Sequence, residues 1–191
     1  MMHFFLTILL AVTVWSDSLM LDAYRHENMA VWKEYVDTKT DLLYEYGYCG
    51  YIVAEAKKSG DEAQLEEAKR YVQQFKAHVE SAKAGLPAGH YQMYLSAVYV
   101  FELRLHLSIH PMRSMSLAKE ATRLAPEDPL VLSYYGTCLF YAPKPFGSKA
   151  EALEWFERAK PLFETDAYRF CWAREANEMY IRQCQEKLKK Q

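Results

Sequence analysis

Residues 128–163 read DPLVLSYYGTCLFYAPKPFGSKAEALEWFERAKPLF, and this stretch determines the fold class. It opens with Asp128-Pro129, a strong helix start, because an aspartate accepts hydrogen bonds from free amide groups and proline suits the first turn. A second start follows at Ser148, where Glu151 three residues later completes a capping box. The stretch therefore predicts a helical hairpin, with helices at 129–141 and 148–164.

Helix start and stop signals and helical periodicity extend over nearly the whole chain. The second helix of the hairpin repeats apolar residues at steps of three and four: Ala152, Trp155, Phe156, Ala159, Leu162 and Phe163. Elsewhere, Gly60-Asp61 ends one helix and begins the next, His110-Pro111 ends another, and Asp166 is the expected cap of the last one. We predict eight helices after residue 16: 18–37, 41–58, 61–84, 90–109, 111–125, 129–141, 148–164 and 167–188.

The composition agrees with an all-α fold. The chain has 191 residues, of which 51% are hydrophobic and 15% aromatic, enough to build one continuous core. Only 7 glycines and 7 prolines are present, too few for the turns of a β-sandwich of this length. The net charge of −2 gives no electrostatic reason to expect a nucleic acid as partner.

An internal period appears when the helices are compared. The hairpin carries Leu132, Tyr135, Gly136 and Leu139 on its first helix and Ala152, Phe156 and Ala159 on its second. The preceding helix ends with Ala118, Ala121 and Pro126, and a weaker copy carries Leu43, Tyr46 and Gly47, then Ala68, Val72 and Phe75. This pattern resembles the tetratricopeptide repeat, a helical hairpin of about 34 residues whose small residues let paired helices approach closely.

The resemblance covers about residues 40–165, and residues 128–163 also look like a hairpin of small exported repeat proteins of Bacteroidota. It implies a short tetratricopeptide-like α-solenoid of antiparallel helix hairpins, with closing helices at both ends (18–37 and 167–188), since a single hairpin cannot bury its apolar face alone. It also implies a habit of binding proteins and no particular chemistry.

The first residues predict export. Phe4 to Trp15 is a run of twelve apolar or weakly polar residues, too short to span a bilayer but suited to a secretory signal. We expect residues 1–16 to be a signal peptide cut after Ser16, and 17–191 to be a single helical repeat domain in a bacterial periplasm, with no stable membrane insertion. A first helix that stays and packs, or an uncleaved anchor, is the alternative.

The four cysteines, Cys49, Cys138, Cys171 and Cys184, form no Cys-x-x-Cys pair, so no zinc site is predicted. Cys171 and Cys184 lie thirteen apart on one predicted helix, roughly 20 Å at 1.5 Å per residue, and cannot bridge each other. We expect buried free thiols, because each cysteine has apolar neighbours. A Cys49–Cys138 disulfide is the alternative for an exported chain.

Motifs that would carry chemistry are few. His106 and His110 lie four apart on a predicted helix, but no third metal ligand is spaced nearby. The sequence contains no P-loop, dinucleotide fingerprint or Gly-x-Ser-x-Gly. We therefore predict that the chain is not an enzyme and has no metal, cofactor or catalytic residues.

Fifteen tyrosines are the unusual feature of this sequence. Many lie on the first helices of the predicted pairs, which line the concave groove in repeat proteins of this type, and a tyrosine ring with its hydroxyl suits peptide binding. The alternative is core packing. The predicted partner-binding tyrosines are Tyr44, Tyr48, Tyr51, Tyr94, Tyr134 and Tyr141.

The loop from Tyr141 to Gly147 adds a second predicted contact surface. Pro143 and Pro145 stiffen it, so that Lys144 and Phe146 can be presented at low entropic cost. Together with the tyrosines, these two side chains complete the predicted binding residues.

The sequence thus predicts a non-enzymatic exported module that holds a peptide or an envelope protein in a Tyr-rich concave groove. One alternative is a helical-repeat subunit of a transport system, which encloses a small ligand or docks to a solute-binding protein. Another is an enzyme whose site is assembled from scattered residues. The oligomeric state is not predicted.

Overall fold

A computed structural model describes residues 16–107 and 111–190, and this part of the chain is helical with no strand. The all-α prediction is confirmed. The predicted signal peptide lies, apart from Ser16, outside the described residues. The helices are α1 Asp17–Arg25, α2 Met29–Thr38, α3 Leu42–Ser59, α4 Glu62–Ala82, α5 His90–Arg104, α6 Pro111–Leu124, α7 Pro129–Tyr141, α8 Lys149–Leu162 and α9 Trp172–Leu188.

Consecutive helices pack against each other along the chain. The most extensive contacts join α3 to α4, α5 to α6, α7 to α8 and α8 to α9. The first helices of successive pairs also touch, because α3 contacts α5, α5 contacts α7, and α7 contacts α9. Within residues 111–162, α6 packs on α5 and α7, and α8 packs on α7.

The predicted helix starts are confirmed by side-chain caps. Asp128 accepts hydrogen bonds from the amides of Leu130 and Val131. Ser148 accepts from the amide of Glu151, and Asp61 caps α4 in the same way. These local signals were readable because a cap depends only on residues within one turn of it.

Two predicted helices are interrupted by a left-handed residue that is not glycine. The predicted helix 18–37 breaks into α1 and α2 at Glu27 (φ 52°), and the predicted helix 90–109 ends before His106 (φ 59°). At each break an amide reaches back five residues, Asn28 to the Ala23 carbonyl and Leu107 to the Glu102 carbonyl. This is a helix-closing motif usually marked by glycine, so the sequence carried no warning of it.

The start of the last helix also differs from the prediction. Asp166 lies in a single 3-10 turn, Asp166–Tyr168, and α9 begins at Trp172 after Cys171, whose side chain makes no capping hydrogen bond. Asp166 is therefore not the cap of this helix.

The residues at the repeated positions lie in the core, and small residues allow close helix contact. Ala68, Ala118, Ala121, Ala152 and Ala159 are all fully buried. A Cβ atom on Gly136 would lie 2.8 Å from the Phe156 ring, which closes the hairpin of α7 and α8. A Cβ on Gly47 would lie 2.4 Å from the Trp32 ring and 2.9 Å from the Trp172 ring.

The two regions predicted to close the stack contact each other. α1 packs against α9, and the Arg25 guanidinium forms an ion pair with Glu175. The rings of Trp32 and Trp172 lie 5.5 Å apart, edge to face. The first and last helices therefore meet over α3, beside Gly47.

Candidate functional site: an aromatic face

Four of the six tyrosines predicted to bind a partner are buried. Tyr44 packs on Trp32 with ring centres 5.4 Å apart, and Tyr48 packs on Tyr71. Tyr94 contacts the Phe75 ring, and the Tyr134 hydroxyl pairs with that of Ser96 at 2.8 Å. In this conformation these four side chains form the core.

The other two predicted tyrosines reach solvent but lie on different helices. Tyr51, on α3, is 41% exposed, and its ring contacts Tyr48. Tyr141, the last residue of α7, is 67% exposed and contacts Tyr180 on α9. The structure therefore does not bring the six predicted tyrosines together in one groove.

A different set of phenols gathers where α1, α3, α7 and α9 approach one another. We call Tyr24, Tyr46, Tyr141 and Tyr180 the phenol cluster. The hydroxyls of Tyr141 and Tyr180 are 3.3 Å apart. Tyr24, Tyr46 and Tyr180 are each half-buried as residues, and Tyr141 is the exposed member of the cluster.

Rings from three other helices fix the Tyr46 side chain. It stacks on Phe101 of α5 at 6.0 Å and meets Tyr134 of α7 edge-on at 5.8 Å. The Trp172 ring of α9 lies 5.9 Å from Tyr46 and 5.6 Å from Tyr24. Trp172 thus joins two members of the phenol cluster.

Tyr180 is held in the same way at the other side of the cluster. Its ring lies parallel to that of Phe156, 5.2 Å away with 4° between the planes, and contacts Phe140 at 5.2 Å. Offset stacking of this kind stabilises a ring orientation by about 0.5–1.5 kcal/mol beyond the burial of area. The Tyr180 hydroxyl is therefore presented from a rigid support.

The phenol groups of the cluster also influence one another electrostatically. Burial raises the pKa of Tyr180, and the nearby Tyr141, Tyr46 and Tyr24 raise it further. Burial likewise raises the pKa of Tyr46, with added effects of Cys138, Tyr141 and Tyr24. Tyr46 and Tyr180 are consequently neutral hydroxyls near neutral pH, able to donate and accept hydrogen bonds.

A buried donor without a partner lies beside the cluster. The indole N–H of Trp172 is buried and makes no hydrogen bond to any described residue. An unsatisfied buried donor costs about 1–3 kcal/mol, and a partner that accepts from this N–H would remove that cost.

The loop after α7 continues from the phenol cluster. Phe146 is 52% exposed, Lys144 is exposed, and the Lys144–Pro145 peptide bond is cis. A Cβ on Gly147 would lie 2.5 Å from the Leu139 carbonyl oxygen, so the loop turns back tightly onto α7. The loop thus presents two of the predicted binding side chains close to Tyr141 in sequence.

Sequence reasoning did not select Tyr24, Tyr46 and Tyr180 as binding residues. Tyr46 was used only as a repeat position, and Tyr24 and Tyr180 lie on the helices assigned to closing the stack. The only available signal was the tyrosine content of those helices. The cluster itself forms through contacts between residues more than 100 positions apart.

The other polar candidates do not form a chemical site in the described part of the chain. The Glu45 carboxylate accepts a hydrogen bond from His78 at 2.8 Å, and burial raises the pKa of Glu45. The recess beside this pair is a shallow surface depression without room for a water molecule, whereas ligand pockets enclose roughly 300–1,000 Å³. Residues 16–107 and 111–190 hold no group of three histidine, cysteine or acidic side chains placed to bind a metal ion.

The predicted histidine pair and the four cysteines do not form a site among the described residues either. His106 lies beyond the end of α5, with its Nε2 3.1 Å from the Lys57 Nζ, and His110 is outside the described residues. Cys49, Cys138, Cys171 and Cys184 are free thiols, of which Cys49 and Cys184 are buried.

Comparison with protein-family models and with curated proteins gives no match. Among solved structures, this chain is similar to the HusA haemophore from Porphyromonas gingivalis, with a TM-score of 0.60 and 16% sequence identity. The alignment covers 90% of this chain and 90% of the haemophore. At this identity the likeness shows a shared helical fold. Among the described residues, none of the helices is both long and apolar enough to cross a membrane.

Proposed function

We propose that this chain is a non-enzymatic exported binding protein that captures haem at the phenol cluster. The observation that carries the proposal is that four phenols, of which Tyr141 is largely exposed, lie together in a fold similar to that of a haemophore. The phenols come from both ends of the sequence, so the ligand would bind where the first and last helices meet.

The chemistry of the cluster suits an iron porphyrin in two ways. A tyrosine oxygen is a known axial ligand for haem iron. Tyrosine and tryptophan rings also offer flat apolar surface to a planar ligand, and Tyr141, at 67% exposed, has the most surface free.

The raised pKa values give this proposal a pH dependence. Iron coordination requires a deprotonated phenol oxygen, so binding releases a proton. Because burial raises the pKa of Tyr180, that proton is held more tightly than in an exposed tyrosine. Haem affinity is therefore expected to rise with pH over the range in which the protein stays folded.

Spectroscopic haem titration tests the proposal. Tyr141→Phe and Tyr180→Phe keep the rings and remove the oxygens, and we expect the double variant to bind about tenfold or more weakly. Tyr51→Phe, an exposed tyrosine on α3 outside the cluster, is the matched control and should titrate like the wild type. A wild-type chain that leaves the haem spectrum unchanged would exclude haem as the ligand. Binding by the double variant equal to that of the wild type would show that haem binds at a site other than the phenol cluster.

A protein or peptide partner, such as an envelope protein, is the second candidate. The observation that favours it is the loop from Tyr141 to Gly147, where the exposed Phe146 and Lys144 follow a stiffened turn. Exposed aromatic side chains on a rigid support are typical anchors of protein interfaces. An enclosing carrier needs a cavity of several hundred Å³, and the recess beside Glu45 encloses no such volume.

The repeat origin and the location belong to the same proposal. Close contact at Gly136 and the buried alanines support tetratricopeptide-like hairpins. The apolar run from Phe4 to Trp15 supports export to the periplasm. Cell fractionation with detection of the chain, and the mass of its mature N-terminus, would test the location and the expected cut after Ser16.

A further inference from the structure

Two lysine side chains converge on one aromatic ring beside the phenol cluster. The Lys149 Nζ lies 3.9 Å from the centre of the Phe140 ring, and the Lys187 Nζ lies 4.7 Å from the same centre. Lys149 also donates a hydrogen bond to the Phe140 carbonyl oxygen. Phe140 in turn contacts both Tyr141 and Tyr180, so its ring links the two lysines to these members of the phenol cluster.

No described carboxylate forms an ion pair with either lysine, whereas four other described lysines are paired. Among the described residues, Lys33, Lys58, Lys69 and Lys76 each have an acidic partner. Lys149 is only partly exposed, and burial together with the positive charge of Lys187 lowers the pKa of Lys149. Two like charges are thus held close together without a compensating anion.

The packing of α8 against α9 brings the Lys149 and Lys187 side chains to the same ring. Lys149 is the first residue of α8 and Lys187 lies in the last turn of α9, so each is fixed by a different helix. Both charges also act on the buried thiol of Cys184, which lies between these helix ends. The cation–π contact with Phe140 attracts each ammonium group to the ring, but it does not neutralise the charge.

We infer that Lys149 and Lys187 form an anion site that holds a carboxylate of the ligand whose ring lies against the phenol cluster. This inference rests on the proposed function. It gives the ligand's carboxylate a binding partner, because neutral phenols do not neutralise a negative charge. Haem carries two carboxylate groups at one edge of a flat ring. Phe140 contacts Tyr141, Tyr180 and both lysines, so a ring bound against these tyrosines would direct that edge toward the lysine pair.

Titration with two porphyrins tests the site. The double variant Lys149→Met, Lys187→Met keeps the apolar stems, and Lys189→Met, Lys190→Met is the matched control, with the same charge change at the same end of α9. We expect the first variant to bind both haem and iron-free protoporphyrin about tenfold or more weakly, and the control to bind within about twofold of the wild type. The wild-type affinity should also fall more steeply with salt than that of the first variant.

The results with the tyrosine and lysine variants distinguish a failure of the lysine anion site from a failure of haem capture. Removal of the Tyr141 and Tyr180 oxygens should weaken haem and leave protoporphyrin unchanged, because only haem has iron, whereas removal of the lysines should weaken both. If the wild type binds and the lysine variant binds equally well, the anion site is wrong and haem capture stands. If the wild type binds neither porphyrin, both proposals fail. Unchanged thermal unfolding of the lysine variant excludes misfolding as the cause of a loss.

Discussion

Asp128 shows how one side chain serves both a helix and the packing between helices. Its carboxylate accepts from two amides at the start of α7 and from the His90 Nε2 of α5 at 2.8 Å. Burial by itself would raise the pKa of Asp128, but the His90 hydrogen bond and the two amides outweigh it, so the pKa is lowered. The charged form is therefore the one that the fold favours.

Replacement of Asp128 should reveal this charge through its pH dependence. Asp128→Asn keeps a capping acceptor and loses the charge, so we expect a loss of about 1 kcal/mol in unfolding free energy at pH 7, and about 2 kcal/mol for Asp128→Ala. Because the folded pKa lies below the unfolded value of about 3.9, the contribution is complete above that value and is lost as pH falls through the folded pKa. Urea unfolding at pH 7 and near pH 3 measures it. A constant difference between the wild type and the Asn variant at both pH values would contradict the assignment.

Individual tyrosines illustrate the limit of prediction at this scale. Tyr48 and Tyr51 lie three apart on α3, yet the first is buried and the second is 41% exposed. Helical spacing places both on neighbouring positions of one face, but only the presence of α4, with Tyr71 against Tyr48, decides which is covered.

The loop between α7 and α8 is the element on which the second candidate function depends. The double variant Lys144→Ala, Phe146→Ala should weaken capture of a partner from envelope extracts and leave the melting temperature unchanged, because both side chains are exposed. Met112→Ala on α6, also an exposed apolar side chain, is the control and should capture as well as the wild type. Affinity purification and thermal unfolding measure the two effects. A clear drop in melting temperature would mean that Phe146 packs between the helices instead.

Helix starts were better predicted than helix ends. Starts at Asp61, Asp128 and Ser148 are marked by side chains that cap within one turn. The ends at Glu27 and His106 depend on a left-handed backbone conformation, which neither glutamate nor histidine usually adopts. Such an end is set by the contacts of the following segment, which are not local.

At the scale of the whole molecule, Trp172 holds the first and last helices together. It contacts Tyr24 of α1, Trp32 of α2 and Tyr46 of α3, whereas Arg25 and Glu175 link α1 to α9 only at the surface.

We therefore expect unequal effects when these two links are removed. Trp172→Ala should lower the unfolding free energy by about 3–5 kcal/mol, because it leaves a cavity among several rings. Arg25→Ala should change the unfolding free energy far less, because the pair is exposed to solvent. Chemical denaturation of both variants at one pH measures the contrast. Equal, small losses would show that α9 docks loosely and that its closure over α3 contributes little to stability.

Capping, periodicity and side-chain size act within one or two turns, so the order of amino acids predicts the helical class, most helix starts and the small residues that let helices pair. The contact between the two end regions and the grouping of Tyr24, Tyr46, Tyr141 and Tyr180 became visible only once the helices were placed in three dimensions. The same holds for the burial of Tyr44, Tyr48, Tyr94 and Tyr134 in the core. These features arise from contacts between residues far apart in the chain, whose free energy depends on how whole helices are placed and leaves no periodic trace in the sequence.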